Sequence, residues 1–143
     1  PVVVEGTAAV VADPDQVTGP NILFAITDLK KVLVEIEAYA REQNLDGFAD
    51  CFARASKAAK AEDIDDIPWA GEVYAWTGFN KLQLGWLAAI QHAWVFGGMG
   101  SWNDVGASGD ARYEELSERL YRTLNACTTG LANSTSPVFL SYM

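Results

Sequence analysis

Apolar residues recur at helical spacing in the first part of the chain and predict a long helix. They step by three and four residues, as one buried stripe of an α-helix does: Ile22, Ile26, Leu29, Leu33, Ile36 and Ala40. The helix is expected to begin near Pro20 or Asn21, where Asn21 or Thr18 can cap it. Asn44 and Gly47 are stop signals and predict its end.

A thinner apolar pattern predicts a second helix over about residues 47–61, with Asp46 as its cap. Its apolar face holds only two large side chains and consists of Phe48, Phe52, Ala55 and Ala59. Because this face is small, we expect a helix at the periphery of the fold.

The longest apolar stretch, residues 79–96, predicts the central helix of the core. It is expected to begin between Gly71 and Asn80 and to end at Gly97. Gly85 within it either weakens the helix or lets another helix approach closely. Four polar residues interrupt the stretch and argue against a membrane span: Lys81, Gln83, Gln91 and His92. Trp86 and Trp94 lie eight residues apart, so both are expected in the core.

Asp110 is placed to cap a last helix, for which Gly130 is a plausible stop. Its apolar residues again step by three and four: Tyr113, Leu116, Leu120, Leu124, Cys127 and Leu131. The pattern as a whole predicts a mostly α, four-helix domain that spans residues 1–143. A short extended arm at the N-terminus and an extended C-terminal tail complete this expectation.

Charge changes the picture of possible partners. Nineteen acids and ten bases give a net charge of −9, which opposes binding to nucleic acid and to anionic membranes. The same charge favours a basic protein partner, or else serves only to keep the chain in solution. The first residues lack the pattern of a secretory signal, so the cytoplasm is the expected location. Whether Cys51 and Cys127 pair is left open.

Residues 62–69 combine four acids with two isoleucines, a proline and a tryptophan, and predict an exposed acidic loop. Trp69 and Trp102 both fall in predicted loops beside acids. Exposed aromatic side chains ringed by charge are typical of protein–protein contacts. The alternative is that these tryptophans fold back as lids over the core, with their indole N–H groups satisfied locally.

Residues 92–104 carry the polar groups that invite a catalytic interpretation. His92, Ser101 and Asp104 suggest a triad, but no strand-turn-helix elbow surrounds the serine. The glycines follow a helix C-terminus, whereas phosphate loops sit at N-termini. One histidine and two distant cysteines make zinc unfavourable, and we expect neither metal nor cofactor. The glycines are equally explained as architectural, with Asn103 or Asp104 bonding the backbone.

The string VFGGMGSWND at residues 95–104 resembles a signature of small bacterial domains of unassigned function. Some of these domains are encoded near polymorphic or contact-dependent toxins. The resemblance covers roughly residues 86–125. It implies a link to toxin loci and carries no catalytic residues with it.

Two hypotheses of function follow. In the first, which we favour, an immunity-type inhibitor binds a basic toxin domain through Glu62, Asp63, Asp65, Asp66, Trp69, Trp102 and Asp104. In the second, a small enzyme or ligand-binding domain has a pocket between the central helix and the glycine loop. Its pocket residues would be His92, Gly97, Gly98, Met99, Gly100, Ser101, Asn103 and Asp104. A homo-oligomeric module joined through tryptophans is a third reading, and the oligomeric state is left open.

Overall fold

Four helices make up the fold in this computed structural model, which describes residues 21–68, 79–97, 100–105 and 109–134. They are α1 (Ile22–Glu42), α2 (Asp46–Lys60), α3 (Lys81–Ala93) and α4 (Ala111–Asn133). Two short 3-10 turns lie at Ile64–Asp66 and Trp102–Asp104. No strand occurs in the described ranges, so the prediction of a mostly α, four-helix fold is confirmed. The predicted arm and tail lie outside the described residues.

Side-chain caps fix the starts of three helices. The Asn21 carboxamide oxygen accepts from the Leu23 N–H at 2.8 Å, and Asp110 accepts from the N–H groups of Arg112 and Tyr113. Both caps were predicted. Asn80 begins α3 with a capping box that it forms with Gln83.

The predicted cap of α2 is wrong. Leu45 is the N-cap and makes no side-chain cap bond, while Asp46 is the first helical residue. Asn44 adopts a positive φ of 61°, and the Leu45 N–H donates to the Ala40 carbonyl at 2.8 Å. This turn folds α2 back tightly and displaces the helix start by one residue, to a position where the Asp46 carboxylate suits the helix dipole.

The helices pack around one hydrophobic core in a ring, in which α1 contacts α2 and α4, and α3 contacts α2 and, less extensively, α4. The expectation of a peripheral α2 is therefore wrong. Four alanines and one phenylalanine of α2 are buried: Ala49, Phe52, Ala55, Ala58 and Ala59. Small side chains let both neighbouring helices lie close, which a count of large apolar residues underestimates. The α3 helix, which was predicted to be central, is one of four helices in this ring.

The α2 and α3 helices approach each other closely at Gly85, which is one of the two alternatives predicted for this glycine. A Cβ atom at this position would lie 2.7 Å from the Ala58 carbonyl oxygen of α2.

Two predicted helix ends are wrong. The α3 helix ends at Ala93 rather than at the glycines, and α4 continues past the buried Gly130 to Asn133. Cys51 and Cys127 are both free thiols.

Polar contacts join the end of α1 to the start of α4. The Tyr39 hydroxyl donates to the Asp110 carboxylate, and burial together with this carboxylate raises the pKa of Tyr39 to about 12. Arg112 lies over the Tyr39 ring, 5.3 Å from its centroid, and pairs with Glu42 at 2.8 Å. The α4 helix is thereby held against α1.

None of the helices in the described residues combines the length and the hydrophobicity that a membrane span requires.

A methyl group at residue 85 should separate α2 from α3. We expect Gly85→Ala to lower the free energy of unfolding by about 1–3 kcal/mol, because the obstructing atom belongs to the backbone and cannot rotate away. Chemical denaturation followed by circular dichroism measures this change. The matched control is Gly47→Ala in α2, where nothing lies within 4 Å of the added carbon and a small gain in stability is expected. A neutral Gly85→Ala would contradict the close approach.

Candidate functional site

Trp102 anchors the region that follows α3. Its side chain is fully buried, and four aromatic rings surround it with centroids 5.3–6.4 Å away: Tyr39, Phe48, Phe52 and Tyr113. The indole N–H donates to the Ser117 hydroxyl at 2.7 Å, and the Trp102 carbonyl accepts from the Tyr113 hydroxyl at 2.6 Å. The hypothesis of an exposed contact residue is wrong for Trp102, and the alternative of a lid with a satisfied N–H is confirmed.

The described part of the glycine loop is held by its own polar side chains. Asn103 Oδ1 accepts from the Gly97 N–H at 3.0 Å, and Asp104 Oδ2 accepts from the Gly100 N–H at 2.7 Å. Gly97 and Gly100 have φ angles of 101° and 79°, which favour glycine. These contacts match the architectural reading of the loop. Gly98 and Met99, two of the predicted motif residues, lie outside the described residues.

An open groove of about 1030 Å³ runs between this segment and α4. We call it the aromatic groove, and its described lining is Trp94, Phe96, Gly97, Ser101, Trp102, Asn103, Tyr113, Glu114, Ser117, Glu118 and Tyr121. On the α4 wall, Glu114, Glu118 and Tyr121 are spaced by four and three residues. They therefore share one face of the helix.

Three aromatic rings form a cluster in this groove. The Phe96 centroid lies 5.4 Å from that of Tyr121 and 6.2 Å from that of Trp94, and the Trp94 and Tyr121 centroids are 6.0 Å apart. Trp94 is 43% and Tyr121 48% exposed. The expectation that Trp94 belongs to the core is wrong. The α3 helix ends before Trp94, and the backbone N–H of Trp102 donates to the Val95 carbonyl at 2.9 Å.

The charge of the groove has one sign. Glu114 and Glu118 are exposed on its wall, and no lysine or arginine is among the described lining residues. Arg122 approaches Glu118 from outside at 3.8 Å, with both side chains about 70% exposed. Such an exposed pair contributes little free energy. A cation from a partner can therefore bind the Glu118 carboxylate without breaking a strong contact.

Gly97, Ser101 and Asn103 line the groove, as predicted for the pocket. The other described residues of that prediction, His92, Gly100 and Asp104, do not line it. Burial and the nearby Arg54 of α2 lower the pKa of His92. Its Nε2 atom is buried without a hydrogen-bond partner among the described residues. No hydrogen bond within the described ranges joins His92 to Ser101 or Asp104, so the triad geometry is not assembled there.

The exposed acidic loop is confirmed. Four carboxylates are exposed around the turn Ile64–Asp66, namely Glu62, Asp63, Asp65 and Asp66. Ile67 is buried and Ile64 packs against the core, so the turn is attached from beneath. We call these four acids the acidic turn. None forms an ion pair with another described residue. Trp69, predicted beside them, lies outside the described residues.

The acidic turn and the aromatic groove lie toward opposite ends of α3. The turn follows Ala61, whose Cβ approaches Gly85 in the first half of α3. The groove begins at Trp94, directly after α3 ends. A 13-residue helix is about 20 Å long. The described surface thus carries two separate acidic regions, and of these two the groove is the one in which described acids lie beside exposed aromatic rings. Among the described residues, no cluster of three or more potential metal ligands occurs.

The partly buried imidazole of His92 predicts a pH dependence of stability near neutrality. His92 is the only histidine, and its lowered pKa means that the unfolded chain binds the proton more readily than the folded chain. Stability should therefore be unaffected by His92 well above pH 6.5 and should fall as the pH drops through and below that value. Urea denaturation between pH 8 and pH 5 measures this effect. The His92→Asn variant should show a flatter profile, and identical slopes in both proteins would refute the assignment.

The chain was compared with protein-family models, with curated proteins and with solved structures, and none of them matches it.

Proposed function

We propose that this chain is an immunity-type protein, which binds a basic toxin domain of bacterial origin and neutralises it in the cytoplasm. The observation that carries the proposal is the aromatic groove, where exposed Trp94 and Tyr121 rings lie beside Glu114 and Glu118 with no base among the described lining residues. Tryptophan and tyrosine at a concave site are the residues that contribute most to protein–protein affinity.

The shape of the groove favours a protein over a small molecule. It is largely open to solvent, whereas small-molecule sites enclose most of their ligand. Its described polar groups are largely engaged already, since Asn103 accepts from the Gly97 N–H and Ser117 accepts from the Trp102 indole. The ligand-binding alternative rests on Ser101 and Asn103 alone, because His92 lies elsewhere.

The acidic turn has a separate part in this proposal. Its four carboxylates are exposed and lack ion-pair partners among the described residues, within a chain of net charge −9. Long-range attraction of this kind accelerates encounter with a basic partner and adds little to the lifetime of the complex. The same charge opposes binding to nucleic acid. We therefore assign steering to the acidic turn and anchoring to the aromatic groove.

The test of the function is neutralisation. A bacterial host expresses the C-terminal domain encoded by the adjacent gene, with and without this protein, and growth is recorded. We expect the domain to inhibit growth, this protein to restore it, and the purified pair to co-elute in size-exclusion chromatography. A toxic domain that is neither neutralised nor bound would rule out this partner and the inhibitor role assigned with it.

The two surfaces should affect different rate constants for binding to that domain. Replacing the four acids of the acidic turn by alanine should slow association by about tenfold at low ionic strength and flatten its salt dependence. Trp94→Ala should instead accelerate dissociation by about thirtyfold, as for a contact residue worth about 2 kcal/mol. Stopped-flow or surface plasmon resonance separates the two. Phe24→Ala, at an aromatic residue 76% exposed on α1, is the matched control and should change neither constant.

Unchanged association in the alanine variant would remove the acidic turn from the interface. An unchanged dissociation rate in Trp94→Ala would do the same for the aromatic groove.

A further inference from the structure

We infer that the aromatic groove is a receptor for one arginine side chain, carried on an extended segment of the basic partner. The guanidinium would stack on the exposed rings of Trp94 and Tyr121 and pair with the carboxylate of Glu118. This inference rests on the proposed function, and it adds the chemical group that the groove recognises.

The first support is the exposure and arrangement of the rings. Trp94 and Tyr121 are inclined to each other by 46°, and each packs nearly perpendicular to Phe96. Phe96 thus supports both rings from one side, while almost half of each remains accessible. A guanidinium is attracted to a ring when it lies within about 6 Å of the centroid. The same chain makes this contact internally, where Arg112 lies 5.3 Å from the Tyr39 centroid.

The second support is the position of the carboxylates. Glu118 lies three residues before Tyr121 on α4, so the carboxylate and the ring are neighbours on one helix face. Glu114 lies one turn further along the same wall. A carboxylate can accept two parallel hydrogen bonds from a guanidinium. Elsewhere on α4, Arg119 binds both carboxylate oxygens of Glu35 at 2.9 Å.

The combination selects arginine among possible occupants. A neutral apolar side chain would cover the rings but would bring no positive charge to the carboxylates of Glu114 and Glu118. An acidic side chain would be repelled by them. Lysine carries the charge but lacks the planar, weakly hydrated surface that stacks on an aromatic ring. Only a guanidinium satisfies both the rings and the acids.

The acidic turn serves as an internal comparison. It offers four exposed carboxylates, yet none of the rings of the described aromatic cluster borders it. Its described residues supply charge without an aromatic ring, so they should attract arginine and lysine alike. A preference for arginine is therefore a property that belongs to the groove and not to the net charge of the chain.

The test uses three peptides with one variable residue: acetyl-Gly-Ser-Arg-Ser-Gly-amide and its lysine and citrulline counterparts. Each is titrated into the full chain up to millimolar concentration, and the indole N–H signals are followed by ¹⁵N–¹H NMR. Trp94→Phe assigns the signal of Trp94, and the signal of buried Trp102 reports that each variant is folded. We expect the arginine peptide to shift the Trp94 signal saturably, with the citrulline peptide binding at least about tenfold more weakly.

Two variants place the binding site. Glu118→Gln should weaken binding of the arginine peptide by about tenfold, the ratio that corresponds to loss of one ion pair of about 1.4 kcal/mol. Glu62→Gln in the acidic turn removes the same charge from the chain and should leave binding unchanged. Equal weakening by both variants would show that net charge, rather than the groove, attracts the peptide and would overturn the inference.

Three other results would also overturn it: no shift of Trp94 in the folded chain, equal binding of the arginine and citrulline peptides, or equal binding of the arginine and lysine peptides. The outcome is independent of the growth experiment. If neutralisation and co-elution hold while the peptides do not bind, the inhibitor role stands and the arginine site falls. If the arginine peptide binds while the toxin domain is not neutralised, the site stands and the inhibitor role falls.

Discussion

Burial of Trp102 is the constraint on which the functional surface depends. A tryptophan delivered by a short 3-10 turn fills the space between α1, α2 and α4, and its indole N–H must find an acceptor there. Ser117 of α4 provides the acceptor, while the Trp102 backbone N–H binds the Val95 carbonyl. These two contacts attach Val95 and Trp102, which lie on either side of the glycines, to the core.

The groove is a consequence of this arrangement. Because Val95 is drawn toward Trp102, α3 ends at Ala93 and the rings of Trp94 and Phe96 are directed to the surface beside α4. They meet Tyr121 on the polar face of that helix. Burial of Trp102 is thus coupled to exposure of Trp94. The exposed aromatic cluster is attached to the core through Val95 and Trp102, which reduces the entropy that it would lose on binding.

Local signals predicted much of the fold and a smaller part of the site. Asn21 and Asp110 cap their helices as expected, since a capping bond involves residues only two or three positions apart. The exposure of the acidic turn was also predictable from its density of charge. Tyr121 was not predicted as a site residue. It lies next to the buried stripe of α4 rather than in it, and an aromatic side chain at such an exposed position was the signal that could have identified it.

The sequence by itself determined the four helices, the starts of α1 and α4 and the acidic character of the surface, because periodicity, capping and charge act over a few residues. Only the tertiary structure decided which tryptophan is buried. Local context predicted Trp94 in the core and offered Trp102 as an exposed contact residue, whereas Trp102 is the buried one. Its Ser117 acceptor lies 15 residues away in the sequence, and its ring neighbours belong to three different helices. The close approach of α2 at Gly85 was decided in the same way, since small side chains become a contact surface only when another helix lies against them.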